Sequence, residues 1–163
     1  MKFDKFVKAI GSDGTIFTDQ GEKWLCGLGC ALKIPDTKNV CSTYEIDIPE
    51  WFLDILTESE LIPAELNDSI LPRKDSKTSE LLRVFDVIGK ERGAGYLPVA
   101  IHNKSFGFIE KGDVCYVCHF NYDVEQENEI KNALVICRTK WDVDDDPDII
   151  GVMFNIEINE EDK

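Results

Sequence analysis

The sequence predicts an α+β fold in which antiparallel β-sheet is covered by two or three helices, and three observations predict it. Apolar residues recur at helical spacing near residue 3 and again near residue 80, and short β-type runs separated by hairpin signals fill most of the remainder. Strands and helices never alternate in the βαβ order that builds a parallel sheet. The 163 residues are the usual size of one domain, so 1–158 are expected to form one α+β unit and 159–163 (NEEDK) a frayed acidic tail. Three Trp, four Tyr and nine Phe are too many aromatic rings for a disordered chain.

The first element is a helix over 3–10, where Phe3, Phe6, Val7 and Ile10 fall on one stripe, Lys5 and Lys8 on the other face, and Gly11 is the stop. Strands are expected at Thr15–Thr18 and Lys23–Ile34, joined by Asp19-Gln20-Gly21, and at Thr43–Ile48, where Tyr44, Ile46 and Ile48 alternate with Glu45 and Asp47 as in a half-buried strand. Pro49 and Glu50 open a short helix carrying Trp51, Phe52, Ile55 and Leu56 to about Thr57. Residues 58–72 read as loop with one helical turn between Pro63 and Pro72. Asp75 or Ser76 then caps a helix that turns Leu81, Leu82, Phe85 and Ile88 inward until Gly93 ends it. Five strands follow: Tyr96–Ile101, Ser105–Ile109, Val114–Phe120, Leu134–Arg138 and Ile149–Ile158. An acidic connection at 121–131 and the loop WDVDDDPD at 141–148 separate the later ones.

Charged residues at Lys2, Asp4, Lys5 and Lys8 interrupt the N-terminus, which leaves no apolar core for a secretory signal, and no stretch approaches the roughly 20 apolar residues of a membrane span. The expected location is cytoplasmic, with the six cysteines reduced. The pair in Cys115-Tyr116-Val117-Cys118 has zinc-site spacing. On a strand, though, positions 115 and 118 point to opposite faces, so buried thiols are the better reading and no metal or other cofactor is expected. The run Asp142–Asp148 places carboxylates as a calcium loop does but has Pro147 where that loop needs glycine, which leaves an acidic solvated hairpin loop. Gly93-Ala94-Gly95 follows a helix and enters a strand, the reverse of a phosphate-binding turn. Two histidines, neither near a Ser or Cys in a nucleophile setting, give no sign of catalysis.

Charge is the informative feature. The net charge of −14 opposes broad attraction to nucleic acid or anionic membrane. Yet 1–10 and 73–92 hold nine of the 18 Lys and Arg residues against five of the 32 acids. Lys5, Lys8, Lys77, Arg83 and Lys90 would thus form a locally positive face on two helices, a candidate site for phosphates.

The order helix (3–10), strands (15–48), helix (76–92), strands (96–158), with the basic excess on the two helices and the closing run NALVICRT…DIIGVMFNIEI, resembles a repeat domain of the DNA sliding clamps. That resemblance implies a clamp-like replication accessory protein whose helices face duplex DNA, a polymerase-type protein as partner, and assembly of several copies. The helix at 49–57 and the loop after it are extra. The preferred function is therefore a non-catalytic binding module. Two alternatives stand beside it: an acidic interaction or inhibitor protein that mimics nucleic acid and binds a basic protein, and an enzyme whose site is assembled from residues distant in sequence.

Overall fold

The structure is a computed structural model describing residues 1–40, 44–67, 80–88, 98–124, 127–142 and 144–156. Its elements in chain order are α1 (Phe3–Ile10), β1 (Thr15–Asp19), β2 (Glu22–Gly27), β3 (Cys30–Lys33), β4 (Tyr44–Asp47), α2 (Glu50–Thr57), β5 (Ile62–Leu66), β6 (Leu82–Val87), β7 (Val99–His102), α3 (Asn103–Phe106), β8 (Val114–Val124), β9 (Glu127–Cys137) and β10 (Ile149–Phe154). The strands form one ten-stranded sheet in the order β4-β1-β2-β3-β10-β9-β8-β5-β6-β7. All pairs are antiparallel except β4 with β1, so the sheet is mixed. The expected sheet covered by two or three helices is therefore not what forms. Sheet dominates, and three helices of eight, eight and four residues fill gaps on it.

The sheet curls. After β10 the chain turns onto β7, where the Ile156 N–H donates to the Ala100 carbonyl at 2.9 Å and the Ala100 N–H donates to the Asn155 side-chain oxygen at 2.9 Å. The limb β5-β6-β7 thereby folds back over β8, β9 and β10. Phe6 of α1, Ile101 of β7, Phe85 of β6 and Leu134 and Ile136 of β9 meet inside that fold in one core. The opposite face of the central strands carries a second core, in which α2 inserts Phe52 and Ile55 against Trp24, Tyr116, Cys118, Val135 and Val152. Successive residues of β9 accordingly alternate between two buried environments, Leu134 and Ile136 in one, Val135 and Cys137 in the other. A register shift between Ile149 and Gly151 lets β10 serve both: a Cβ on Gly151 would lie 3.3 Å from the Met1 methyl group.

Several local expectations are overturned, each for a physical reason. The helix expected over 76–92 is, in its described part, the strand β6, while Lys77 and Lys90 lie outside the described residues. Leu82 and Val84 pack on one face of β6 and Phe85 and Val87 on the other, so both faces are apolar and alternation disappears. The turn expected between Pro63 and Pro72 is strand β5 as far as Leu66. Ser105–Ile109 is no strand, because α3 occupies 103–106, too short to display a period. Lys23–Ile34 is two strands, reversed at Leu28 (φ 54°) and Gly29 (φ 73°). The acidic connection at 121–131 is the distal part of the β8–β9 hairpin, described up to Val124 and again from Glu127. β4 is exposed along its length instead of half-buried, since it is the last strand of the sheet beside β1.

Candidate functional site

A groove of about 480 Å³ runs between the second half of α2, the β1–β2 turn and the 141–148 loop. Leu53, Leu56 and Thr57 of α2 form one wall, Asp19 and Glu22 a second, and Trp141, Asp145, Asp146 and Asp148 a third. Lys33 is a cation in the lining, and it is held by Glu22 at 3.1 Å. Trp24 also lines the groove. It is 2% exposed, packs edge-on to Phe52 at 5.3 Å, and its indole N–H is buried with no acceptor among the described residues.

The acidic loop is held in place. The Trp141 backbone N–H donates to the Tyr116 hydroxyl at 2.7 Å, and its ring stands edge-on to the Tyr116 ring at 6.4 Å. The Trp141 indole N–H donates to the Asp145 carbonyl at 2.8 Å, the Asp145 N–H to the Asp142 carbonyl at 2.9 Å, and the Asp144 N–H to the Asp142 carboxylate at 3.2 Å. The Arg138 N–H closes the loop onto the Asp148 carbonyl at 3.1 Å. Carboxylates on so constrained a backbone keep a fixed spacing and sum their field toward the groove, where a cationic side chain would be drawn. The arrangement offers recognition of positive charge.

The residues expected to bind nucleic acid are only partly brought together. Lys5 and Lys8 are exposed on α1, and the Lys5 ammonium donates to the Gly107 carbonyl at 3.4 Å. Arg83 lies on β6, with its guanidinium 4.1 Å from the Phe106 ring centroid and donating to the Asn103 side chain at 3.2 Å. Lys5 and Arg83 thus both touch the 103–107 segment, Lys5 from the expected helix and Arg83 from a strand in place of the expected helix. Among the described residues, no three His, Cys, Asp or Glu side chains converge as metal ligands. Cys115 and Cys118 face opposite cores, and burial pushes each thiol up to about 12. No described helix is long and apolar enough to cross a membrane.

Sequence reasoning singled out the aspartate run but not the site. Trp24 and Trp141 are 117 positions apart, and neither is marked by its neighbours in sequence. No protein-family model matches the chain, no curated protein matches it, and no solved structure matches it.

Proposed function

We propose that the chain is a non-catalytic module that binds a basic partner protein through the groove between α2 and the 141–148 loop. The observation that carries this reading is the gathering of Asp145, Asp146 and Asp148 with Asp19 and Glu22 around one groove, in whose lining the cation Lys33 is already held by Glu22. Acids draw a Lys or Arg side chain, so a basic peptide is the partner whose charge suits the groove. The measurement is calorimetric titration of an arginine–glycine octapeptide, with indole fluorescence as a second signal. Asp145→Asn with Asp146→Asn should weaken binding about tenfold, whereas the pair Asp13→Asn with Glu65→Gln, outside the groove lining, removes the same charge and should leave most of it. Equal losses in the two variants would reduce the effect to net charge and discard the groove.

A second reading, contact with duplex DNA as in a sliding clamp, is favoured by the convergence of Lys5 and Arg83 on α3. It predicts duplex binding that falls steeply with salt and is lost in Lys5→Glu with Arg83→Glu. Binding of the octapeptide in preference to duplex DNA, at equal ionic strength, rejects it.

A further inference from the structure

β8 and β9 form a hairpin with arms of 11 residues each, and β10 does not accompany it to its end. The last β10 pairing is Phe154 with Ala133, followed by a bond from the Asn155 N–H to the Asn132 carbonyl at 3.2 Å. From Lys131 to Glu129, β9 has β8 on one side and no strand on the other among the described residues. Along an antiparallel strand, the N–H and C=O of one residue point to the same side, and the side alternates. Because the Asn132 carbonyl faces the β10 side, the N–H and C=O of Ile130 face that side too, where no described strand pairs with them. The Ile130 side chain is 69% exposed. The hairpin register runs without a bulge, and the nearby cation Lys131 turns its ammonium onto the Tyr122 ring, 4.5 Å from the centroid. An edge of this kind is a template for a further strand.

We infer that the added strand is the same edge of a second copy of this chain, running antiparallel across a twofold axis at Ile130. Register with Ile130 opposite Ile130 of the second copy makes that pair exchange both backbone hydrogen bonds. It also sets Glu129 opposite Lys131 of the copy, and Lys131 opposite Glu129, so two oppositely charged pairs form. The sequence around the axis, N-E-I-K-N, is its own complement under this operation. A wholly basic foreign strand would meet Lys131 and a wholly acidic one Glu129, whereas acid and base disposed evenly about an apolar centre fit a copy of themselves. Glu129 and Lys131 lie on the α2 face with Tyr122 and Phe120, their register partners. There a groove of about 580 Å³ lined by Trp51, Tyr122 and Phe154 gives the second copy apolar surface to cover. The interface shares no lining residue with the acidic groove, so either can fail without the other.

Sedimentation equilibrium of the full chain tests this, in about 0.15 M salt, where charges more than about 8 Å apart are screened. The small paired segment predicts a reversible dimer at concentrations on the order of 0.1–1 mM. Lys131→Glu and Glu129→Lys each set like charges across the axis twice and should weaken association about tenfold. The double variant Glu129→Lys with Lys131→Glu restores opposite charges and should restore the dimer. Net charge alone would move the two single variants in opposite directions, since one adds negative charge and the other removes it. A monomer throughout the range, single variants that associate like the parent chain, or a double variant that stays dissociated would each overturn the inference.

Discussion

The indole N–H of Trp141 donates to the backbone carbonyl of Asp145 at 2.8 Å, so one side chain spans the loop whose carboxylates form the acidic wall. Tyr116 holds that Trp in turn, accepting from its backbone N–H at 2.7 Å from within the α2-side core. The loop's conformation is therefore set by the sheet beneath it.

Tyr116→Phe keeps the ring and removes the acceptor. It should lower stability by about 1 kcal/mol, the usual net worth of such a bond, and free the loop at 141–148. Denaturant unfolding reads the first effect. Faster proteolytic nicking within the loop reads the second.

Leu28 occupies the left-handed region (φ 54°) beside Gly29 (φ 73°) in the turn between β2 and β3, with its side chain half out in solvent. A turn with both central residues at positive φ prefers Asn-Gly. Leu28→Asn should raise stability by about 0.5–1 kcal/mol, measured as a higher denaturation midpoint with an unchanged slope.

Gly14 joins α1 to β1 at a point where the backbone passes close to two core side chains. An added Cβ would lie 2.7 Å from Leu25 Cδ1 and 2.9 Å from Ile10 Cγ2. Gly14→Ala should cost about 1–3 kcal/mol as the core side chains are pushed aside, and Leu25→Val in the same chain, which removes the Cδ1 in closest contact, should recover part of it.

Burial raises the Cys118 thiol from 9.0 to about 12, opposed only in part by hydrogen bonds with Ser59 and Ala133. In the unfolded chain that thiol loses its proton near pH 9 and in the folded one not until about 12, so between those values the folded state holds more protons. Stability must then fall as pH rises through that window, by up to about 1.4 kcal/mol per pH unit for this thiol. Unfolding midpoints measured from pH 8 upward should decline, and Cys118→Ala should flatten the decline. At neutral pH, alkylation of Cys118 should require unfolding.

Residues whose surroundings are made by near neighbours were legible in sequence. Phe3, Phe6 and Ile10 face one side of α1 because a helix repeats every 3.6 residues, and Gly11 ends it at φ 63°. Asp19-Gln20-Gly21 reverses the chain by the same local chemistry, with Gln20 and Gly21 both at positive φ. Likewise α2 begins after Pro49 and buries Phe52 and Ile55. β6 was misread because burial on both faces erases the period that distinguishes strand from helix, and α3 because four residues carry no period. The distal β8–β9 hairpin was misread as a connection because its acidic sequence shows no sustained apolar alternation and it extends past the end of β10.

By itself, the sequence determined which local segments can be helices, turns and strands, that the chain folds, and that it is strongly anionic. Those properties depend on dihedral preference, apolar spacing and charge count, all of which act over a few residues or simply add. Tertiary structure alone decided that the sheet curls to close Ile156 on Ala100, that Trp24 and the aspartate loop line one groove, and that Ile130 lies beyond the end of β10. Each of these requires segments far apart in the chain to pack together. Which pair does so is settled by the shape and area of whole buried faces, a quantity no short stretch of sequence contains.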